Sequence, residues 1–302
     1  MPRRVIVALC SWLFACAPPA ILVPEASVVA RTERRARAVE VCRLDQELDL
    51  RPLSMGVNES TSEKWHYVIG SIVVKHPSGL VVIDPAFGTS IKEDLGRAGP
   101  LVTMVMGTEE TKTPLVKVMK KAGLDPADVR VALVTHAHWD HVGALGDLPN
   151  ARVLMSKTEL EWTKPFRSHL AGGVMTHMLK RAKRQLYEFE FKGPAVDGFE
   201  SSYDVFGDGS IIGVPMPGHT PGSTAWLVRG KDVTYLFSGD TSWTYRGVQL
   251  PAHKAIRVFD DDLEALSKSL GVLNAFVKYR PDVVVVPAHD GEALEHVPAC
   301  AP

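Results

Sequence analysis

Apolar positions change their period several times along the chain, and each change predicts an element. Residues 65–86, WHYVIGSIVVKHPSGLVVIDPA, carry β-branched runs on either side of a Pro-Ser-Gly turn, the pattern of a hairpin of buried strands. In TKTPLVKVMKKAGLDPADV the spacing becomes helical: Leu115, Val116, Val118, Met119 and Ala122 share a face that stops at Gly123 and Pro126. Val129, Val131, Leu133 and Val134 then make a short buried strand, and ARVLMS makes another. Ser156 and Glu159 have the spacing of a capping box at the start of a helix in SKTELEW.

Residues 165–190, PFRSHLAGGVMTHMLKRAKRQLYEFE, read as a broken, partly basic helical segment. It is either a lid or pocket wall, or a peripheral packing helix, since periodicity does not separate a face that touches substrate from one that touches core. Strands return in GSIIGVPM, STAWLVRG and VTYLFSGD, followed by the helix DDLEALSKSLGVLNAFVKY and the strand PDVVVVPAHD. The order is strands, helix, strands, then strands, helix, strand. It predicts an α/β fold of two similar halves.

Composition narrows the class without changing that picture. With 302 residues, 45% of them hydrophobic and 23% charged, the chain has the make-up of a globular protein with a sizeable core. A formal net charge of −1 leaves no electrostatic footprint for nucleic acid. The N-terminus differs: MPRR is a basic start, and Val5 to Ala17 is an apolar stretch with the form of a signal peptide over residues 1–17. It falls short of the roughly 20 residues that span a bilayer. Ala15 and Ala17 suit ordinary cleavage, whereas Leu13-Phe14-Ala15-Cys16 resembles a lipoprotein box that would leave a lipid anchor on Cys16. Either route predicts an exported protein, periplasmic or extracellular, or held at a membrane by that lipid. Residues 18–40, with three prolines and the arginines Arg31, Arg34, Arg35 and Arg37, read as a solvated linker, which leaves 41–302 as one catalytic domain. Only Cys42 and Cys300 lie in that body, either as a disulfide joining its ends or as two unpaired thiols.

Four polar clusters each follow an apolar strand: HAHWDH at 136–141, PGHTPGS at 217–223, FSGD at 237–240 and PAHD at 287–290. A sheet fixes backbone positions while the loops beyond it present side chains, so groups distant in sequence converge at one edge. Five of the eleven histidines (His136, His138, His141, His219 and His289) stand at these strand ends. In a sharp loop His136 and His138 point one way, and Asp140 and His141 turn toward a second point nearby. Neutral imidazoles are zinc ligands, and a carboxylate such as Asp240 can bridge two cations where an imidazole cannot. Burying such a set unpaired would be very costly, and metal coordination removes the cost.

At this point the sequence resembles the metallo-β-lactamase superfamily, whose hallmark is His-X-His-X-Asp-His, then a later His, a bridging Asp and a final His. Here these read HAHWDH, His219, Asp240 and His289, over about residues 60–290. VVIDPAFG, with Asp84, is similar to the family's first motif, in which the aspartate supports the metal loops from behind. The resemblance implies a four-layer αββα sandwich. It also implies two divalent metal ions, with zinc expected: one on His136, His138 and His219, the other on Asp140, His141 and His289, with Asp240 between them.

Such a pair holds a bridging hydroxide that attacks a carbonyl, with Asp140 and Asp240 orienting the nucleophile and Asp240 available as a proton carrier. FSGDTSW, DDLEALSKSL and the final PAHD look most like the N-acyl homoserine lactonase branch, so a small-molecule lactone or ester is the expected substrate. That branch carries a substrate-binding tyrosine three residues past the bridging aspartate. This chain has Trp243 there, whose indole N–H donates but cannot relay a proton, and Tyr245 could substitute from two residues on. The alternatives are a glyoxalase II-like thioesterase, a β-lactamase, a mononuclear-iron persulfide dioxygenase and a non-enzymatic metal-stabilised binding protein. Oligomeric state leaves no mark on the sequence.

Overall fold

A computed structural model describes residues 37–98, 109–164 and 173–302. The expected signal peptide, Cys16 and most of the expected linker lie outside the described residues. The last linker positions do not: Val39 is 2% exposed and bridges to Gly230, the Arg37 N–H donates to the Asp208 carbonyl, and the first strand begins at Glu40. The last positions of the expected linker therefore belong to the folded domain.

Six strands form one mixed sheet in the order β1 (Glu40–Pro52), β2 (Lys64–His76), β3 (Gly79–Ile83), β4 (Val129–Leu133), β5 (Arg152–Ser156) and β6 (Leu186–Phe189). Five form a second, in which β7 (Tyr203–Asp204), β8 (Ile211–Pro215), β9 (Thr224–Arg229) and β10 (Thr234–Gly239) run antiparallel in sequence and β11 (Val283–Pro287) lies parallel to β10.

Alternation along these strands builds the layers, because successive side chains point to opposite faces. Val74, Val81, Ile83, Leu133 and Leu154 meet Trp226, Val228, Phe237 and Val286 in a core between the sheets. Their neighbours Val73, Val82, Ala132 and Val153 face outward, onto a cluster with Leu115 and Met119 of the helix Leu115–Lys121. On the other side Leu227, Leu236, Val283 and Val285 face Leu273 and Phe276 of the helix Leu263–Tyr279. That helix starts where the Asp262 carboxylate accepts from the Glu264 and Ala265 N–H groups. The result is the expected αββα sandwich. Among the described residues no helix is long and apolar enough to cross a membrane.

Two elements differ from the sequence reading. β1 pairs with β2 over its whole length but is interrupted by a bulge between Asp45 and Glu47, and its outer end leaves Leu48 and Leu50 exposed, so no clean alternation marks it. Of the segment expected to be helical, residues 165–172 lie outside the described residues, Thr176–Arg181 is a helix, and Leu186–Phe189 is a strand parallel to β5.

Cys42 and Cys300 form a disulfide across 258 residues. Cross-linking so long a loop restricts the unfolded chain and contributes about 3–5 kcal/mol by the loop-entropy account. Reduction with a mild thiol is expected to lower Tm by about 10 °C at unchanged metal content. Identical melting curves for the oxidised and reduced protein would rule that contribution out.

Candidate metal centre

Every candidate ligand sits beyond a strand, at one end of the sandwich. β4 delivers Thr135 and the short helix Trp139–Val142, β8 leads to His219, β10 ends at Gly239 before Asp240, and β11 ends at Pro287 before His289. The sheets nearly touch there: the Thr224 N–H donates to the Thr135 carbonyl at 2.9 Å, and a Cβ on Gly239, whose φ is +55°, would stand 2.9 Å from Thr135 Cβ. A glycine is required at that point because the backbone is left-handed and the opposing wall is close.

The seven ligand-type side chains are all buried, and three groups of three bring their donor atoms within 4.8 Å of one another. His219 Nε2 lies 3.2 Å from His136 Nε2 and 2.9 Å from His138 Nδ1. Asp140, His141 and His289 form a second set, with His141 Nε2 3.8 Å and His289 Nε2 3.6 Å from the Asp140 carboxylate. Asp240 stands between them: Oδ1 is 3.4 Å from His141 Nε2 and 3.1 Å from His289 Nε2, and Oδ2 is 3.4 Å from His219 Nε2.

Outward hydrogen bonds set the tautomers. His219 Nδ1 donates to Asp260 Oδ1 at 2.7 Å, His289 Nδ1 to the Val68 carbonyl at 3.0 Å, and His141 Nδ1 to Asp84 Oδ2 at 2.9 Å. Thr135 Oγ1 donates to Asp84 Oδ2, so it accepts from His136 Nδ1 at 3.0 Å. In these four rings the inward Nε2 is left as a bare lone pair. Lone pairs aimed at one another across about 3 Å repel unless a cation lies among them, and zinc with tetrahedral ligands at 2.0–2.1 Å needs about 3.3 Å between ligand atoms. Asp240 Oδ1 and His141 Nε2, both buried, have no hydrogen-bond partner. The donor set fits metal.

Electrostatics agree with neutral rings at His136, His138 and His219, whereas at His141 the surrounding carboxylates favour the protonated ring until a cation takes the proton's place. Burial, with the charges of neighbouring imidazoles, holds His136 and His138 well below the usual histidine range, and burial together with Lys254 lowers His219, so all three are neutral ligands. Burial would raise Asp240, but His289 and His141 beside it hold its carboxyl well below the ordinary range. His141 is raised, against its burial, by Asp84, Asp140 and Asp240. Burial pushes Asp140 up.

Asp84 is the aspartate expected behind the loops. Besides His141 it holds the Thr135 N–H at 2.7 Å and Thr135 Oγ1 at 2.8 Å, and its own backbone is left-handed at φ +49°. Trp243 faces the centre: its indole N–H donates to Asp240 Oδ2 at 2.7 Å, and its ring meets His289 edge-on. Tyr245 is placed elsewhere. Thr244 caps the helix Tyr245–Gln249 and turns the chain away, the Tyr245 N–H donates to Asp290, and its ring packs beneath the long helix. It lines a separate cavity of about 520 Å³ that no ligand residue lines. Gly173 lies against the His138 ring and its carbonyl accepts from the Trp139 N–H, so the described end of the expected lid or wall segment borders the site.

Comparison with known proteins follows the same line. Residues 69–289 match the model of the Metallo-beta-lactamase superfamily. The chain belongs to that family. Within the metallo-β-lactamase superfamily it is 27% identical over 242 residues to the N-acyl homoserine lactonase AttM of Agrobacterium fabrum, covering 78% of this chain and 87% of that protein. Its fold is shared with an N-acyl homoserine lactone hydrolase solved with N-hexanoyl-L-homoserine at the catalytic metal center, at TM-score 0.64 and 18% identity over 87% of this chain and 98% of that one. AidC, a dizinc quorum-quenching lactonase, superposes at TM-score 0.58 and 17% identity, over 84% of this chain and 88% of its own.

Three residues around the family's ligand set gave no sign of their role in the sequence. Asp260 orients His219, and the buried Lys254 ammonium bonds the same carboxylate oxygen while lying 3.4 Å from the Asp240 carbonyl. Glu159, fully buried, does more than open its helix. Its Oε1 accepts from the Ala137 N–H at 2.7 Å, and its Oε2 accepts from Thr220 Oγ1 at 2.7 Å and from the Gly222 N–H at 3.1 Å, so it clamps the loops of His136–His138 and His219 together.

Burial pushes the Glu159 carboxyl up to about 7, with those hydrogen bonds limiting the rise. Above its ordinary 4.5, the folded chain keeps a proton that the unfolded chain has released. The associated stability, about 3 kcal/mol, is present in full below 4.5 and is lost as pH rises through about 7. Glu159→Gln cannot titrate, so between pH 5 and 7.5 wild type is expected to lose stability relative to the variant. A pH-independent offset between their urea midpoints would sink this account.

Proposed function

We propose that this metal-dependent hydrolase holds two zinc ions and opens the ring of an N-acyl homoserine lactone or a closely related ester. The observation that carries the reading is Asp240, whose two oxygens face two separate nitrogen sets. When bound, two divalent cations supply a Lewis acid for the carbonyl oxygen and a water acidic enough to be a nucleophile at neutral pH. His136, His138 and His219 would hold one, and Asp140, His141 and His289 the other.

The chain's own residues do the positioning. Asp260, Asp84 and the Val68 carbonyl fix ring orientation, and the Trp243 N–H pins Asp240 Oδ2. Asp240 is thereby held at Oδ2, while Oδ1 faces His141 and His289. Asp140 accepts no side-chain hydrogen bond among the described residues, so it, rather than Asp240, is the carboxylate placed to carry a proton to the leaving oxygen. Rings of Tyr67, Trp162, Trp243 and Phe259 flank His138 and His289, an apolar border suited to an acyl chain. The relatives named as lactonases support that substrate class.

A panel of an N-acyl homoserine lactone, a thioester and a β-lactam, offered to one zinc-loaded sample, tests the reading. Ring opening of the lactone, seen as gain of one water and release of one proton, should be fastest. Turnover of the thioester or β-lactam without the lactone would refute it. The same reading places the protein outside the cytosol, supported by the disulfide and the signal-like residues 1–17. A mature protein still beginning at Met1 would contradict that location.

A further inference from the structure

Tyr67 has no place in the ligand set, yet it touches it. It stands on β2 with its ring parallel to the His289 imidazole, 4.9 Å between centroids and 17° between planes. The Arg51 guanidinium lies 3.5 Å from the centre of the same ring, and the Trp65 ring meets it edge-on at 5.9 Å. Only 4% of the residue is exposed. Its ring is therefore fixed by three contacts that do not involve its oxygen.

The oxygen is the unexplained part. Among the described residues the Tyr67 hydroxyl has no hydrogen-bond partner. The oxygen is not sealed from solvent either, so it is open to whatever occupies the space beside it. Burial first, and then the Asp140 carboxylate, push the phenol well above the usual tyrosine range, so it stays a protonated donor. The hydroxyl is carried on a ring in contact with the candidate metal ligand His289, with its donor hydrogen uncommitted.

We propose that Tyr67 is a catalytic residue whose Oη–H donates a hydrogen bond to the substrate oxygen that gains negative charge as the carbonyl carbon becomes tetrahedral. For the reaction the proposal rests on the hydrolase reading above; for the place of the residue it rests on the stacking of its ring on His289. The donor is held in place before substrate arrives, so little reorganisation is needed when charge develops. Its rigidity comes from His289, Arg51 and Trp65, all of which keep their contacts with a phenylalanine ring.

Tyr67→Phe removes the oxygen and little else. In zinc-loaded protein the variant should keep its metal content and Tm, while kcat for the lactone falls by about 10- to 100-fold and KM moves by less than about threefold. Binding of hexanoate, which presents the carboxylate oxygens of any ester product, should weaken by about fivefold in calorimetry. Unchanged kcat together with unchanged hexanoate affinity overturns the proposal, as does loss of metal in the variant, which would make Tyr67 a support of His289. A wild type that turns over no lactone refutes the lactonase reading, and the hexanoate comparison then decides the role of Tyr67 by itself.

Discussion

Asp240→Ala lowers kcat/KM for lactone hydrolysis by about 10³-fold, close to 4 kcal/mol of barrier, and leaves the protein with one tightly bound metal in place of two. The reason is positional. Asp240 Oδ1 faces His141 and His289 while Oδ2 faces His219, so among the described residues it is the side chain that joins the two sets. The variant keeps His136, His138 and His219 intact, and their three converging nitrogens still suit one ion. Metal content and turnover measured on the same preparation check this, and a loss of less than tenfold would remove Asp240 from the account.

The second large effect belongs to a residue that touches no metal. Asp84→Ala is expected to cost about 3 kcal/mol of stability and to weaken metal binding by about 10- to 100-fold. Three donors lose their acceptor at once: the Thr135 N–H, the Thr135 hydroxyl and His141 Nδ1. Through Thr135 the loss also reaches His136 Nδ1. Asp84→Asn is the informative companion, because asparagine tolerates the left-handed φ of +49° and keeps one acceptor oxygen. Its effects should be clearly smaller. Equal losses in chemical denaturation and in chelator competition for the two variants would show that the negative charge, which both lack, and not the number of acceptor oxygens, governs the site.

Much of this was legible in the sequence for a physical reason. Strands buried on both faces are long apolar runs, and the polar residues that end them stand out, which is why HAHWDH, His219, Asp240 and His289 are legible in the sequence. Asp84 was found through its motif. Pairing was harder: β1 escaped notice because its bulge at Asp45–Glu47 shifts the alternation, and Leu186–Phe189 was absorbed into a helical segment because it follows one without a proline or glycine break.

Residues that act across the fold were illegible. Glu159 reaches Ala137 over 22 positions and Thr220 over 61, and Asp260 reaches His219 over 41; no local period encodes such contacts. Glu159 carried a local signal, its capping-box spacing with Ser156, and the Ser156 hydroxyl does accept from the Glu159 N–H. That signal described the backbone end of the residue and said nothing of its carboxylate. Tyr245 shows the converse: two positions beyond Trp243 in sequence, it is turned away by the helix that Thr244 caps.

The central claim is that two adjoining cations joined by Asp240 carry the hydrolysis. Its most direct test is a zinc titration of metal-free protein, with bound metal and lactone turnover read on the same samples. Turnover should climb to its full value only as binding approaches two ions per chain, with the Asp240→Ala titration stopping near one. Full activity at a single bound ion, or no lactone hydrolysis with two bound, would contradict it.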